Sequence, residues 1–277
     1  MKLAFVDVGE LGWSLYLSAH ARWLKREGYP IPLVVTLPDR MCLYEGLVDD
    51  VRAVPPDFNR KFGQSIASCF GLEGVPADRL RSYFDNMLAP EYYVTDEMTF
   101  RCRPYWPHAY EDSLLFEPYP YKTELSGPKE ILVFPRQRDF VARNIPKKFY
   151  ISLINQLCDL FQDHVIRTIG ASNGAYDIKE IKKENYINQA MKSSSLQDFI
   201  DRCQLAVATV GSQSAPPKIA LLQGVPTFMI GHERKRHVED ENWKSTKVGF
   251  YEIHKGFYDR FDLADCIAKI IDFMRRL

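Results

Sequence analysis

The sequence lacks the features that mark several broad classes of protein. Its 36 Lys and Arg residues balance 36 Asp and Glu residues, so the formal net charge is zero. Proteins that bind nucleic acids usually carry a basic excess, which argues against a nucleic-acid partner. The apolar run at the amino end stops at Asp7, too short for a signal-peptide core or a membrane span. We therefore expect a cytoplasmic protein, and peripheral contact with a membrane stays open.

Cysteine and histidine spacing argues against two further classes. The six cysteines form no C-x-x-C pair, and a disulfide framework is not expected in a chain of 277 residues. The histidines show no spacing that suggests a metal site. We expect reduced, mostly buried thiols and no metal or cofactor. The cysteines are Cys42, Cys69, Cys102, Cys158, Cys203 and Cys266.

The chain has ample material for a hydrophobic core. Hydrophobic residues make up 46% of it and charged residues 26%, which argues against disorder. Its length suits one large α/β domain or two smaller ones. Proline and aromatic residues cluster within residues 103–121, where proline cannot donate to a strand ladder. We predict an N-terminal domain at residues 1–125 and a C-terminal domain at 126–277.

The first region begins with a strand, a glycine-bearing loop, a helix and a strand. We predict strands at Leu3–Val8 and Ile31–Leu37, with a helix at Ser14–Arg26 that Gly28 ends. Leu47–Val54 is a candidate third strand. This order is typical of the start of a parallel, doubly wound sheet.

The second region repeats the alternation of strands and helices. Strands are predicted at Glu130–Phe134, Val165–Ile169, Leu205–Val210 and Val225–Ile230, and helices at Pro146–Phe161, Ser195–Arg202, Pro216–Gln223 and Leu263–Arg276. The chain is thus predicted to be an α/β protein of two Rossmann-like lobes facing a cleft, with a short N-terminal lobe. Strand carboxyl ends and helix amino ends converge at such a cleft, which makes it the expected ligand site.

One strand–helix junction suits an anion. Thr209–Pro217 reads T-V-G-S-Q-S-A-P-P, and exposed backbone N–H groups at a helix start favour negative charge. The hydroxyls of Ser212 and Ser214 can add hydrogen bonds to a phosphate, with Gly211 and Gln213 in the same turn. The alternative is a serine-capped turn that binds nothing.

Two more loops follow predicted strands of the same region. Arg136 and Arg138 come directly after Glu130–Phe134, and arginine can hold a phosphate through two hydrogen bonds. Gly170 follows the next strand and is a candidate ligand contact. Alternatively, the arginines pair only with acids such as Asp139, and the glycine serves only the turn.

These motifs together are similar to those of a known family. A strand, G-S-x-S, and a helix ending in A-L-x-x-G-V-P-T resemble the donor-nucleotide site of GT-B glycosyltransferases, most closely the heptosyltransferase-like family 9 group. The resemblance covers the second region well and the first loosely. It implies that this loop and helix bind the diphosphate of a nucleotide-sugar, and that the end of the preceding arginine-bearing strand contacts it too. Epimerases and hydrolases of the same fold share the motif.

The resemblance also implies a base in the first loop of the N-terminal region. The family carries a G-D pair there, whereas this chain reads G-E-L-G-W, with Glu10 before Leu11-Gly12. We predict Glu10 as the base that deprotonates an acceptor hydroxyl. The alternative is that Glu10 only complements a helix amino end. Gly12 and Trp13 are predicted to contact the acceptor, although Trp13 suits packing equally well.

The resulting hypothesis is a glycosyltransferase that moves a sugar from a nucleoside-diphosphate sugar to a hydroxyl of a carbohydrate or glycoconjugate. The basic run H-E-R-K-R-H at 232–237 begins a predicted loop after the last clear strand, and Glu241 and Asn242 in it are predicted to bind hydroxyls of the donor. The alternative is a solvated charged loop that binds nothing. The sequence has no D-x-D motif, so we expect transfer without a metal and, as the resemblance implies, with inversion. Two alternatives remain: a nucleotide-sugar hydrolase or epimerase of the same fold, and a non-catalytic GT-B-like partner subunit.

Overall fold

The computed structural model describes residues 2–8, 11–28, 30, 33–55, 92–94, 127–138, 143–171, 174–190, 195–240 and 247–277. The chain divides into two compact units, Met1–Glu117 and Pro118–Leu277. The domain boundary expected at residues 125 and 126 lies outside the described residues. Each unit contains one parallel sheet.

The described residues of the first unit form a four-stranded sheet and a long helix. Its strands are β1 (Lys2–Asp7), β2 (Leu33–Thr36), β3 (Asp50–Ala53) and β4 (Tyr92–Val94). The spatial order is β3-β2-β1-β4, and all three pairings are parallel. Helix α1 (Leu11–Arg26) links β1 to β2, and a short 3₁₀ helix spans Pro38–Leu43. The strands β1 and β2 and one face of α1 supply the buried apolar side chains.

One expectation for this unit is wrong, and two of its elements were not predicted. Helix α1 begins at Leu11 rather than Ser14, so Gly12 and Trp13 lie in its first turn and not in a loop. Nothing in these three residues forbids a helix, because glycine disfavours one by only about 1 kcal/mol. The 3₁₀ helix was not predicted, and neither was β4, whose three residues are held by pairing with β1, a long-range contact.

The second unit is a six-stranded sheet with helices on both faces. Its strands are β5 (Glu130–Phe134), β6 (Val165–Gly170), β7 (Tyr186–Ala190), β8 (Ala206–Ser212), β9 (Thr227–Gly231) and β10 (Val248–Glu252). The helices are α2 (Lys147–Leu160), α3 (Leu196–Gln204), α4 (Ala215–Leu222) and α5 (Leu263–Arg275). The spatial order is β10-β9-β8-β5-β6-β7, with every pairing parallel. This is the doubly wound order of a Rossmann fold, which reverses direction between β5 and β8.

The two faces of this sheet are covered by different helices. Ile131 and Val133 of β5 belong to one buried cluster with Leu153 of α2 and other side chains of α2 and α5. On the opposite face Phe134 meets Phe199 of α3, with ring centroids 5.5 Å apart. Alternate residues of β5 therefore face alternate layers, as a strand buried on both faces requires.

Caps explain where the helices begin and end. Ser195 accepts the N–H of Asp198 while Asp198 accepts that of Ser195, so the predicted cap of α3 is confirmed as a capping box. Asp262 caps α5 with its side chain, which accepts the backbone N–H groups of Ala264 and Asp265. Helix α4 ends before Gly224, whose φ of 73° suits glycine at that position.

The two edge strands, β7 and β10, were not predicted. Their side chains are mostly half-buried, so neither segment shows the apolar run that reveals β5 or β9. Among the described residues, Cys158, Cys203 and Cys266 are buried free thiols and Cys42 is half-buried. None of the helices that the structure describes is long and apolar enough to cross a bilayer.

Candidate functional site

The strand order places two of the predicted motifs side by side. Strands β5 and β8 are neighbours, with Phe134 opposite Gly211 at their carboxyl ends. Arg136 follows β5, and Ser214 follows β8 at the start of α4. In open parallel sheets, ligands bind at the carboxyl edge where the strand order reverses. The switch point of the second unit is therefore the candidate site.

Arg136 is buried at this edge and firmly held. It is only 9% exposed, and its Nη1 donates to Oδ1 of Asn144 at 2.7 Å. Asn144 also accepts the N–H of Arg138 at 3.0 Å and donates to the Arg138 carbonyl at 2.7 Å. The cap position of α2 belongs to Pro146 and has no side-chain bond, so Asn144 does not cap this helix. The asparagine instead positions both arginines.

A third arginine adds to the positive charge. Burial, and then the charges of Arg138 and Arg143, lower the pKa of Arg136 to about 10. Like charges gathered in a partly desolvated place raise the free energy of the ligand-free protein, and an anion relieves that cost. Arg143 was missed as a site residue. Its only signal was its place in the same basic segment as Arg136.

The segment after β6 braces the arginine from one side. Ala175 pairs with Arg136 in an antiparallel bridge, and the N–H of Tyr176 donates to the Pro135 carbonyl at 2.7 Å. A Cβ on Gly170 would lie 2.3 Å from the Cβ of Ala175. Gly170 thus leaves room for the segment that supports Arg136, whatever contact it makes with a ligand.

The Ser212 hydroxyl lies beneath the surface. Ser212 is fully buried, and its Oγ makes no hydrogen bond within the part of the chain that the structure describes. Its neighbour is Tyr150 of α2, whose hydroxyl is also buried without a bond. Burial raises the pKa of Tyr150, which Arg136 and then the nearby Ser212 hydroxyl oppose. The two hydroxyls lie near each other but are not aligned as a hydrogen bond, and neither reaches solvent.

The start of α4 offers fewer backbone donors than most helices. Pro216 and Pro217 occupy the second and third helical positions and have no N–H, which leaves that of Ala215. Ser214 is half-exposed, and its hydroxyl donates to the Ser212 carbonyl at 2.9 Å rather than capping the helix. The arginines therefore supply most of the attraction for an anion at this edge.

Gln213 joins the end of β8 to the loop after β9. Its Oε1 accepts the N–H of His232 at 3.0 Å, and its Nε2 donates to Glu233. A Cβ on Gly231 would lie 2.4 Å from the same Oε1, so only glycine leaves room for this side chain. Gln213 was predicted as a donor contact, but its amide is occupied in holding the neighbouring loop.

His232 and Tyr258 were both missed by the sequence analysis. Nδ1 of His232 and Oη of Tyr258 are 2.8 Å apart. Tyr258 is 2% exposed, and burial raises its pKa to about 12, with Arg143 opposing. The loop after β10 therefore reaches the arginine cluster. The basic run H-E-R-K-R-H was the only sequence signal for this part of the site.

The segment after Glu233 was predicted to be a loop, but Lys235–Asp240 is a π-helix. His237, whose Nε2 lies 3.7 Å from Oε2 of Glu233, is the main cause that lowers the pKa of Glu233 to about 2. Of the predicted site residues, Glu10, Glu241 and Asn242 lie outside the described residues. The helical backbone of Trp13 is described, but its side chain is not.

A cavity of about 350 Å³ lies elsewhere in the second unit, between α3 and the strands β6 and β7. Its polar lining is already engaged: Arg202 pairs with Glu130 at 3.2 Å, and Gln189 accepts from Arg167 at 3.0 Å. Asp198 serves the cap of α3. The cavity is therefore a weaker candidate than the switch point.

The first unit carries a buried carboxylate at the end of β1. Asp7 Oδ1 accepts the Ser14 hydroxyl at 2.9 Å, and Oδ2 accepts the hydroxyls of Tyr44 at 2.7 Å and Thr36 at 3.2 Å. Arg40 donates to the Ser14 hydroxyl at 2.7 Å. These bonds commit Asp7 to holding the first unit together.

Comparison with known proteins shows what the fold resembles. No family model and no curated protein matches the sequence. Several solved structures do match. The Escherichia coli heptosyltransferase WaaC with ADP is 13% identical, with a TM-score of 0.62 over 99% of this chain and 100% of that chain. The E. coli ADP-heptose LPS heptosyltransferase II is 14% identical, with a TM-score of 0.58 over 100% and 99%.

A glycosyl transferase family 9 structure from Veillonella parvula DSM 2008 is 12% identical, with a TM-score of 0.63 over 100% of this chain and 98% of that chain. At such identities the likeness shows the fold. The predicted α/β fold, similar to that of family 9 glycosyltransferases, is confirmed.

Proposed function

We propose that the protein transfers a sugar from a nucleoside-diphosphate sugar to a hydroxyl of a carbohydrate or glycoconjugate, with inversion and without a metal. The observation that carries this proposal is the buried Arg136, held by Asn144 at the switch point and accompanied by Arg138 and Arg143. The shared fold with heptosyltransferases supports it.

The arginines suit the leaving group of such a reaction. The bond between the anomeric carbon and the diphosphate oxygen breaks, and its electron pair leaves with the diphosphate. Fixed cations beside that oxygen stabilise the growing negative charge. Because three guanidinium groups gather at this edge, they supply the compensation that a divalent ion provides in other transferases.

The base and the remaining contacts stay predictions. In the proposal Glu10 takes the proton of the acceptor hydroxyl, whose oxygen attacks the face of the sugar opposite the diphosphate. Gly12 and Trp13 contact the acceptor, and Glu241 and Asn242 bind hydroxyls of the donor. Asp7 is a poor candidate for the base, because three hydroxyls already donate to it.

Binding of a nucleoside diphosphate tests the donor site. A structure of the E. coli heptosyltransferase WaaC was solved with ADP, so ADP is the first compound to titrate, followed by GDP, UDP and CDP. We expect Arg136→Gln to weaken the binding at least about tenfold, since hydrogen bonds to charged groups contribute about 1.5–3 kcal/mol. Equal affinity of the variant and the original protein would contradict the site.

Arg275→Gln is the matched control for charge removal. Arg275 is exposed in the last turn of α5. Lys247, just before β10, donates to the carbonyl of Arg276, the residue after Arg275. The last turn of α5 therefore lies at the amino edge of the sheet, opposite the carboxyl edge that carries the candidate site. We expect this variant to bind the diphosphate as the original protein does.

Turnover separates the proposal from its alternatives. The nucleotide-sugar matching the tightest diphosphate is incubated with and without a panel of carbohydrate acceptors. Transfer that requires an acceptor supports the proposal. Release of free sugar without one favours a hydrolase, an epimerised sugar favours an epimerase, and tight binding without any turnover favours a partner subunit.

A further inference from the structure

His232 sits beside the arginine cluster with one ring nitrogen committed and one unused. Its Nδ1 is 2.8 Å from the buried Tyr258 hydroxyl, and the two rings meet edge to face at 6.0 Å. Its backbone N–H is held by Gln213 at 3.0 Å. Nε2 makes no hydrogen bond to the residues that the structure describes. Tyr258 thus orients the ring, and Gln213 anchors its backbone, before any ligand arrives.

The groups around this ring are mostly cationic. Burial is the main cause that lowers the pKa of His232 below its ordinary value of 6.5. Glu233 is the next largest influence and raises the pKa, while Arg143, Lys255 and His237 lower it further. The nearby His237, 3.7 Å away, and the charge of Arg236 keep Glu233 ionised. The imidazole is therefore neutral near pH 7 in the ligand-free protein.

A bound diphosphate would change the charge around the His232 ring from mainly positive to negative. Tyr258, which bonds to His232, also interacts electrostatically with Arg143 and Arg136. His232 directly follows β9, and β9 pairs with β8, which pairs with β5, so the imidazole and Arg136 lie at the same carboxyl edge of the sheet. An anion bound by those arginines would therefore lie at the edge that carries the imidazole. An opposite charge within about 4–6 Å raises a histidine's affinity for protons, commonly by about 1–3 pKa units.

We propose that His232 takes up a proton from solvent when a diphosphate binds beside Arg136 and Arg143, and that it then donates through Nε2 to a phosphate oxygen. This inference rests on the proposed donor site. It adds to that site a residue, His232, whose charge changes when the diphosphate binds. Both ring nitrogens then carry hydrogen, with Nδ1–H donating to Tyr258. The added cation joins the three arginines in neutralising the leaving group.

The consequence is a donor affinity that depends on pH. Above the pKa of the liganded protein the ring stays neutral in both states, and below the pKa of the free protein it is charged in both. Only between these two values does binding take up a proton. There the affinity gains up to about tenfold for each unit by which the pH falls.

NMR titration of the histidine ring signals tests the inference directly. Inorganic pyrophosphate is the compound to use, because it carries the diphosphate charge whatever base the donor has. The His232 signal is assigned with His232→Gln, and its pKa is measured with and without saturating pyrophosphate. We expect it to rise by about 1–3 units on saturation, while the signal of the exposed His254 in the same unit stays unchanged.

Calorimetry supplies the second measurement. The affinity of the original protein for pyrophosphate should exceed that of His232→Gln by about tenfold at pH 6, with the difference vanishing at high pH. His254→Gln serves as the control. Titrating both proteins at each pH cancels the ionisation of pyrophosphate itself.

The outcomes separate this inference from the donor site. Pyrophosphate binding with an unchanged or lowered His232 pKa would overturn the inference and leave the site intact. Failure of pyrophosphate to bind would overturn it too, and the nucleoside-diphosphate titrations would then decide the site on their own.

Discussion

The side-chain oxygen of Asn144 holds the guanidinium of Arg136 at 2.7 Å. The same oxygen accepts the backbone N–H of Arg138, so one amide fixes the course of the chain after β5. A buried guanidinium needs such an acceptor, because desolvated charge without a partner is costly. This hydrogen bond therefore fixes the position of the Arg136 charge before a ligand binds.

Replacing Asn144 should weaken diphosphate binding, although Asn144 acts through the arginines and not through a contact with the ligand. In Asn144→Ala, Arg136 loses its acceptor and Arg138 loses two backbone anchors. We expect nucleoside-diphosphate affinity to fall about tenfold, as one hydrogen bond to a charged group is worth about 1.5–3 kcal/mol. Calorimetry measures the change. Asn155→Ala is the control, since the Asn155 side chain donates to the Ile151 carbonyl of its own helix; equal losses in both would refute the role of Asn144.

Adding a methyl group to Gly170 should strain the segment that supports Arg136. The Cβ of Gly170→Ala would lie 2.3 Å from that of Ala175, which is bridged to Arg136. Overpacking of this kind costs about 1–3 kcal/mol, so we expect a lower melting temperature and weaker diphosphate binding. Gly127→Ala has open space around the added methyl group and should change neither. Wild-type melting behaviour of Gly170→Ala would contradict the close contact.

Local signals explain which parts of the second unit could be predicted. The strand β5 matches its predicted bounds because its five residues form a run buried on both faces. The start of α3 could be predicted because Ser195 is a cap with a visible partner three residues later. Such signals lie within a few residues of one another in the sequence, so they survive without knowledge of the fold.

Contacts between distant segments explain what could not be predicted. The sequence shows that Ser212 and Gln213 end a strand, but not that one hydroxyl points under α2 and the other side chain reaches the loop after β9. Tyr258 joins the site only because the loop after β10 folds back to His232. The spatial order of the strands determines which of these segments come into contact, and no local sequence pattern encodes that order.

Glu233 should make the second unit sensitive to acid. The nearby His237 side chain and the charge of Arg236 lower the pKa of Glu233 to about 2, below the ordinary 4.5. A lowered carboxyl pKa stabilises the folded state above the unfolded value, and this contribution is lost as the pH falls from about 4.5 towards 2. We expect the melting temperature of Glu233→Gln to fall less over this range than that of the original protein. Glu184→Gln, at an exposed position, should follow the original protein, and parallel curves for all three would refute the assignment.

The hydrogen bonds of Asp7 predict a structural role that can be separated from catalysis. In Asp7→Asn an amide group replaces one oxygen that accepts hydroxyls from Ser14, Thr36 or Tyr44. Unpaired buried groups cost about 1–3 kcal/mol each, so the first unit should unfold at a lower temperature. Scanning calorimetry measures this. Asp49→Asn, an exposed acid in the same unit, should leave the transition where it was.

Replacing Glu10 should have the opposite effect to replacing Asp7, because activity should fall while the melting temperature stays unchanged. If it is the base, Glu10→Gln removes the group that accepts the proton of the acceptor hydroxyl, while the arginines of the second unit are untouched. General-base catalysis contributes about 10²–10⁴-fold, so turnover should fall by that factor with unchanged melting temperature and unchanged diphosphate affinity. Glu27→Gln, at an exposed residue just after α1, is the control that should keep full activity. A Glu10→Gln protein that transfers sugar at the original rate would exclude Glu10 as the base. Because the hydroxyls that donate to Asp7 leave it poorly suited to that role, the search would then move to acids outside the first loop.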